Sequence, residues 1–381
     1  MENKWDVIQV DKGLKEKLWS KNRTFAGDVW FRFSHKRSAV VGLLVVLLVG
    51  LFAFVGPKFT NHTYDAQNLS FVNVPPNLKV TPYNGSLYYI TGNLKVLEVS
   101  GNGKLLGELK KVREDDPNKE IVFETKEGEL KLSYKQKPAR IVDGNGERIE
   151  NLKSMWNKSY ILGTDQLGRD LLARLMYGSR ISIIVALVAT VVNMTIGIIY
   201  GGISGFKGGM ADVIMMRIVD IISTIPLTLY VILIMVFLNS GFLSIIIALS
   251  SVYWVSMARV VRGQIFSLKQ QEFIYAAKTI GSTNRTILFR HLLPNAMGPI
   301  LVTATMLIPS AIFMEAFMSF IGLGIAPPMA SLGTMCNDSI QTLKSSPYQL
   351  FLPSLVICII MFAFNYVGDG LRDALDPKLK K

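Results

Sequence analysis

Cysteine, histidine and charge are all scarce in this 381-residue chain, which holds two cysteines, three histidines and 18% charged residues. Cys336 and Cys358 are too few for a disulfide framework and lack the spacing of a metal site. His35, His62 and His291 are far apart and no H-E-x-x-H occurs. A membrane-embedded hydrolase would need a nucleophile with its base or a metal cluster, and the marks of either are missing. No G-x-x-x-x-G-K-S/T loop is present to cradle phosphates, so no nucleotide site is assigned. Nor is there an internal repeat, which a stand-alone secondary transporter would carry.

Half of the residues are hydrophobic and the mean hydropathy is +0.34. That is too high for a soluble enzyme and low for a chain lying wholly in a membrane, so apolar spans are diluted by a polar region. A helix needs about 20 apolar residues to cross a roughly 30 Å hydrocarbon core. Six stretches fit one crossing each: 38–56, 181–205, 213–238, 242–261, 296–321 and 348–368. The third and fourth form one apolar run divided by the turn residues Asn239, Ser240 and Gly241. The first span has a long leader and no small-residue cleavage site after it, which makes it an uncleaved anchor.

The net charge of +13 permits nucleic acid by sign alone, but its distribution points to membrane orientation instead. Residues 1–37 hold nine bases against five acids and 259–290 hold six against one. With these segments inside, both termini are cytoplasmic. The segment 57–160 is then outside. It alternates short apolar runs, such as 86–90, 120–123 and 130–134, with Gly, Asn and Asp turns. It reads as a β-rich extracytoplasmic domain entered through the linker Val74-Pro75-Pro76-Asn77. The fold class expected is an all-α polytopic membrane protein of six transmembrane helices with this insertion. Before the first span, Phe25, Val29, Trp30 and Phe33 share one face of a helix able to lie in the membrane interface.

The strongest local signal lies between the fourth and fifth spans. Phe273, Ala276, Ala277 and Ile280 recur at i, i+3, i+4 and i+7, an apolar stripe outside the membrane that needs a surface to bury against. Gly281 can take positive φ and turn the chain, and Pro294 is expected to break the path before the fifth span.

The Ala276-Ala277 pair, with Gly281 and then Leu293-Pro294 downstream, resembles the EAA loop through which ABC importer permeases dock on their ATPase. Further runs, Gly163-Thr164-Asp165-Gln166-Leu167-Gly168-Arg169-Asp170, 319–324 and 368–377, resemble the C-type permease subunit of the dipeptide, oligopeptide and nickel importers. The likeness covers 24–56 and 161–377. It implies the type I importer permease fold, with a cytoplasmic segment at 1–37, a core at 161–370, a coupling loop at 263–294 and a tail at 371–381. It also implies Phe273, Tyr275, Ala276, Ala277, Ile280, Gly281, Leu293 and Pro294 as the ATPase-coupling residues, with Tyr275 where the family has glutamate. The implied partners are a second, similar permease, two ATPases that bind ATP and magnesium, an extracytoplasmic binding protein, and a peptide substrate. Nickel or oligosaccharide is the alternative cargo. No cofactor or enzymatic activity is expected in this chain, which would sit in a bacterial cell membrane.

Within the spans, Gly197, Gly201 and Gly205 form a small-residue packing face. Arg217 and Asp220, three apart on one helix, most simply pair with each other. Glu315 is an ionisable residue inside an apolar span and a candidate for the translocation path; it can meet either a peptide amine or a polar group of a neighbouring helix. Pro226 and Pro309 mark expected kinks.

Overall fold

The computed structural model describes residues 24–125, 128–143, 146–239 and 241–375. The leading residues 1–23, Ser240 of the expected turn and 376–381 of the expected tail lie outside them.

The chain enters through α1 (Phe25–His35), capped by Thr24, whose hydroxyl accepts from the Gly27 N–H. Phe33 is buried against Ala39 and Ala374 while Trp30 is 61% exposed, so the expected aromatic face is divided between packing and the surface. Helix α2 (Arg37–Phe54) follows, with Leu44, Leu47, Leu48 and Leu51 all exposed. A helix this apolar on its outer face has hydrocarbon as its natural solvent.

Among the described residues, nine strands form the polar insertion. β1 (Asn77–Tyr83), β2 (Ser86–Ile90), β3 (Val96–Val99), β4 (Leu105–Glu108) and β9 (Lys153–Trp156) make an antiparallel sheet ordered β4-β3-β2-β1-β9. β5 (Lys111–Asp115), β6 (Glu120–Thr125), β7 (Gly128–Ser133) and β8 (Arg140–Val142) make the second sheet in sequence order. Asn84 and Gly85 both take positive φ, as a two-residue hairpin between β1 and β2 requires. Tyr88 and Val96 of the first sheet pack against Ile121, Phe123, Leu130 and Leu132 of the second. The other face of the first sheet buries Leu78, Val80, Leu97 and Val99 under Phe71 and Val74.

The segment expected as a linker is a clamp. The Val74 N–H donates to Thr164 Oγ1 at 2.8 Å, and the Val74 carbonyl accepts from the Thr164 N–H at 2.9 Å and the Tyr348 hydroxyl at 3.2 Å. The β region is thereby seated on the helical body.

That body comprises α3 (Leu171–Lys207), α4 (Gly209–Thr224), α5 (Leu227–Leu238), α6 (Phe242–Ser250), α7 (Trp254–Leu268), α8 (Glu272–Thr279), α9 (Asn284–Thr286), a π-turn (Ile287–Leu292), α10 (Leu293–Phe320), α11 (Leu332–Asp338) and α12 (Tyr348–Leu375). Among the described residues, five helical stretches are long and apolar enough to cross a membrane, and the pair α4 plus α5 makes a sixth if it counts as one span. The pair is bent by 84°. The stretch 213–238, expected as a single span, is therefore broken, because Pro226 holds Ile225 in an extended conformation.

Helix α3 packs most extensively on α7. The glycine face is the reason. A Cβ at Gly201 would overlap the Ala258 carbonyl, and one at Gly205 would lie 2.8 Å from the Arg262 carbonyl oxygen. Gly202, one residue round the helix, has 4.0 Å of clearance. Gly202→Ala is therefore expected to be neutral or to stabilise by up to about 1 kcal/mol through helix propensity. Gly201→Ala should instead destabilise by roughly 1–3 kcal/mol, since the α3 and α7 backbones must separate. Thermal unfolding of the two variants in detergent gives the comparison.

Candidate functional site

A 37-residue helix rises about 55 Å at 1.5 Å per residue, so α3 reaches from the β sheets to the far end of the body. Each end carries a polar assembly.

At the far end, α7 leads into α8. Helix α8 closes in a Schellman motif: the Ser282 N–H donates to the Ala277 carbonyl at 3.0 Å and the Gly281 N–H to the Lys278 carbonyl at 2.9 Å. Gly281 has φ +84°, and a Cβ there would meet nothing within 4 Å, so the requirement is conformational rather than spatial. Thr283 then caps the next helix by accepting from the Thr286 N–H.

The structure divides the expected stripe of α8. Ile274 and Ala277 turn inward, buried with Val261, Ile265, Ile287 and Leu292. Phe273, Tyr275 and Ile280 turn outward at 41%, 57% and 85% exposure, and Ala276 is exposed with them. One apolar face seats the helix on α7 and the π-turn; the other is uncovered in the single chain.

The break expected at Pro294 is absent. The helix runs on from Asn284 to Phe320 through the π-turn that precedes Leu293 and Pro294. Proline lacks a donor and its ring would collide with the carbonyl four residues back in an α-helix. The wider π-turn ahead of it takes up that mismatch.

The Arg217–Asp220 pair expected from their spacing does not form. Asp220 accepts from Arg259 of α7 at 3.0 Å, and Arg217 is exposed without an ion pair among the described residues. A stronger pair lies beside it. Arg262 donates through Nε to Asp212 Oδ1 at 2.6 Å and through a second nitrogen to Oδ2, and Ser204 also donates to this carboxylate. The signal available in the sequence is the i, i+3 spacing of Arg259 and Arg262, which presents both cations to α4.

At the end nearest the sheets, the loop 163–170 folds round one carboxylate. Asp165 accepts from the backbone N–H groups of Leu167 and Arg169, both at 2.9 Å, from Arg169 Nε at 2.7 Å and from Arg174 at 2.5 Å. Both arginines reach on to Asp338 of α11, at 3.3 and 3.1 Å. Asp165 and Arg174 are 5% and 3% exposed at their side chains, whereas Asp338 is 42% exposed. Arg174 Nε is buried without a hydrogen-bond partner among the described residues. The four residues border a cavity of about 480 Å³. The sequence marks this run as a family signature without a role for its residues, because Asp338 of α11 lies far away in the chain.

Asp170 caps α3 by accepting from the Leu172 N–H, and burial pushes its carboxyl above the usual range. Glu315 is fully buried and accepts from Ser182 Oγ at 2.6 Å and Ser319 Oγ at 2.9 Å. Of its two open readings, the structure places it against hydroxyls of α3 and its own helix.

Asp165 is the charge with most to lose. Asp165→Ala leaves Arg174 buried without its shortest partner and should cost about 3–5 kcal/mol of stability. Asp338→Ala removes an exposed partner and should cost about 1 kcal/mol or less. Chemical denaturation of both variants gives the ranking.

Residues 172–381 match the family model described as binding-protein-dependent transport system inner membrane component, and residues 24–76 match the N-terminal TM domain of oligopeptide transport permease C. The chain is 37% identical over 379 residues to the oligopeptide transport system permease protein OppC of Bacillus subtilis (strain 168), covering 100% of this chain and 98% of that protein. It is 33% identical over 381 residues to the dipeptide transport system permease protein DppC of the same organism, covering 100% and 94%. Among solved structures, an inward-facing MetNI methionine ABC transporter aligns with 53% of this chain and 96% of its own at a TM-score of 0.46 and 18% identity.

Proposed function

The chain belongs to the family of binding-protein-dependent transport system inner membrane components, and from that membership we propose that it is the permease subunit of an ATP-driven peptide importer. It forms one half of a translocation path, and a second, similar permease forms the other. ATP and magnesium are handled by two partner ATPases, and an extracytoplasmic binding protein delivers the cargo. Peptide is the cargo because the full-length relatives are oligopeptide and dipeptide permeases. The bent pair α4 and α5 counts as the third of six spans in a bacterial cell membrane. Both termini and α8 lie in the cytoplasm, and the β sheets lie outside.

The observation that carries this reading is the two-faced α8. Its inner face locks it to α7 and the π-turn, and its outer face leaves Phe273, Ala276 and Ile280 uncovered at the end remote from the sheets. An apolar patch of this kind on a rigid seat marks a protein contact. Docking on an ATPase groove supplies the missing cover.

The division of faces sets the coupling test. Ala276→Asp and Ile280→Asp place a carboxylate in the docking face, and Gly281→Val strains the turn at positive φ. All three should leave the chain inserted and paired with its second permease, yet lower ATPase co-purification by about tenfold, the equivalent of about 1.4 kcal/mol. Lys278→Gln should do much less. Ala277→Asp should also destabilise the chain itself, because Ala277 packs inward. Wild-type co-purification and transport in Ala276→Asp and Ile280→Asp would sink the coupling role.

Orientation is tested by cysteine labelling after Cys336 and Cys358 are replaced. A membrane-impermeant maleimide should modify Asn102→Cys in intact cells and reach Asn284→Cys after lysis alone. The reverse pattern would invert the topology.

A further inference from the structure

Between the two β sheets and the segment that leads into α12, the surface opens into a cleft of about 1160 Å³. Four of its lining residues are cationic: Lys79 on β1, Lys137 and Arg140 at the entry to β8, and Lys344 in the segment before α12. No carboxylate lines it among the described residues. None of the four cations forms an ion pair among those residues either, although neighbouring lysines of the same sheets, Lys95 and Lys135, are paired with glutamates.

A second observation points the same way. Thr81 also lines the cleft, is 1% exposed, and its hydroxyl has no hydrogen-bond partner among the described residues. A buried hydroxyl left unpaired costs stability, so a ligand able to pair with it is favoured.

The arrangement of charge narrows the ligand. An unopposed set of cations between low-dielectric walls attracts anions. Here the cations come from three separate elements round a cleft of about 1160 Å³, which has room for an extended ligand carrying several charges. Apolar wall residues, Ile90 and Leu152 among them, stand in the same lining. One compact anion would fill a small part of this volume and leave the apolar walls without contact. Several carboxylates spaced along a chain with apolar stems match both the charges and the walls. We propose that this cleft binds an acidic polypeptide segment. The chemistry is the same for an imported acidic peptide and for an acidic stretch of a protein that delivers cargo.

The first measurement reads binding alone and does not depend on the transport reading. The full chain in nanodiscs of neutral phosphatidylcholine is titrated with fluorescein-labelled hexaglutamate. The variant Lys79→Gln, Lys137→Gln, Arg140→Gln, Lys344→Gln should bind it about tenfold more weakly or worse. A control, Lys104→Gln with Lys158→Gln, changes two exposed lysines outside the cleft and should match wild type. Added salt should weaken binding, and hexalysine should not bind. Equal affinity in the quadruple variant, with unchanged thermal unfolding, would overturn the proposal. So would displacement of hexaglutamate by an equal concentration of inorganic phosphate.

The second measurement identifies the source, using the assembled transporter and the same variant. Loss of uptake confined to glutamate-rich peptides identifies the imported peptide. Equal loss for glutamate-rich and alanine peptides identifies a delivering protein. Unchanged uptake of both would overturn a role for the cleft in the transporter.

Discussion

The close approach of α3 and α7 is the constraint on which the rest of the molecule depends. Lipid tails are as apolar as leucine, so nothing squeezes two spans together as water would, and contact must come from fit. Gly197, Gly201 and Gly205 supply that fit by letting one backbone lie against the other. Helix α3 is long enough to project from both ends of this contact, and its ends hold the two polar assemblies. At one end the Asp165 loop leads into its first turn; at the other, Ser204 near its last turn helps hold Asp212 against Arg262 of α7.

The two ends differ in what they are built to do. The Asp165 assembly joins the start of α3 to α11, an element from the far side of the sequence, through carboxylate–guanidinium bonds that are expensive to break singly. It closes that end on itself. The other end is incomplete: α8 is seated by Ile274 and Ala277 in a packed cluster continuous with α7 and α10, and its remaining apolar residues face outward. In the proposed permease a push on α8 is carried to both helices, because close-packed interiors transmit displacement instead of absorbing it.

Much of this was legible before any coordinates. The apolar stretches, the β-rich insertion with its runs at 86–90, 120–123 and 130–134, each of which overlaps an observed strand, the glycine face and the positive φ of Gly281 all follow from local composition and period. Three local expectations fail. Arg217 and Asp220 were paired by spacing, but Asp220 meets Arg259 across a helix interface. Pro294 was read as a break, but a π-turn takes up the mismatch within a continuous helix. Val74 was read as a linker, but Thr164 and Tyr348 clamp it. For Asp220 and Val74 a partner remote in sequence overrides the local preference; at Pro294 the adjoining π-turn does.

The sequence by itself determined the class of the molecule: membrane helices, an inserted β region and an amphipathic segment closed by Gly281. These are set by hydrophobic run length, two-residue alternation and turn chemistry, all of which act within a few residues. Tertiary structure alone decided which side of α8 faces outward, which carboxylates are held by which arginines, and that four cations from three separate elements line one cleft. Those outcomes depend on distances between segments tens to hundreds of residues apart, and no local period encodes them.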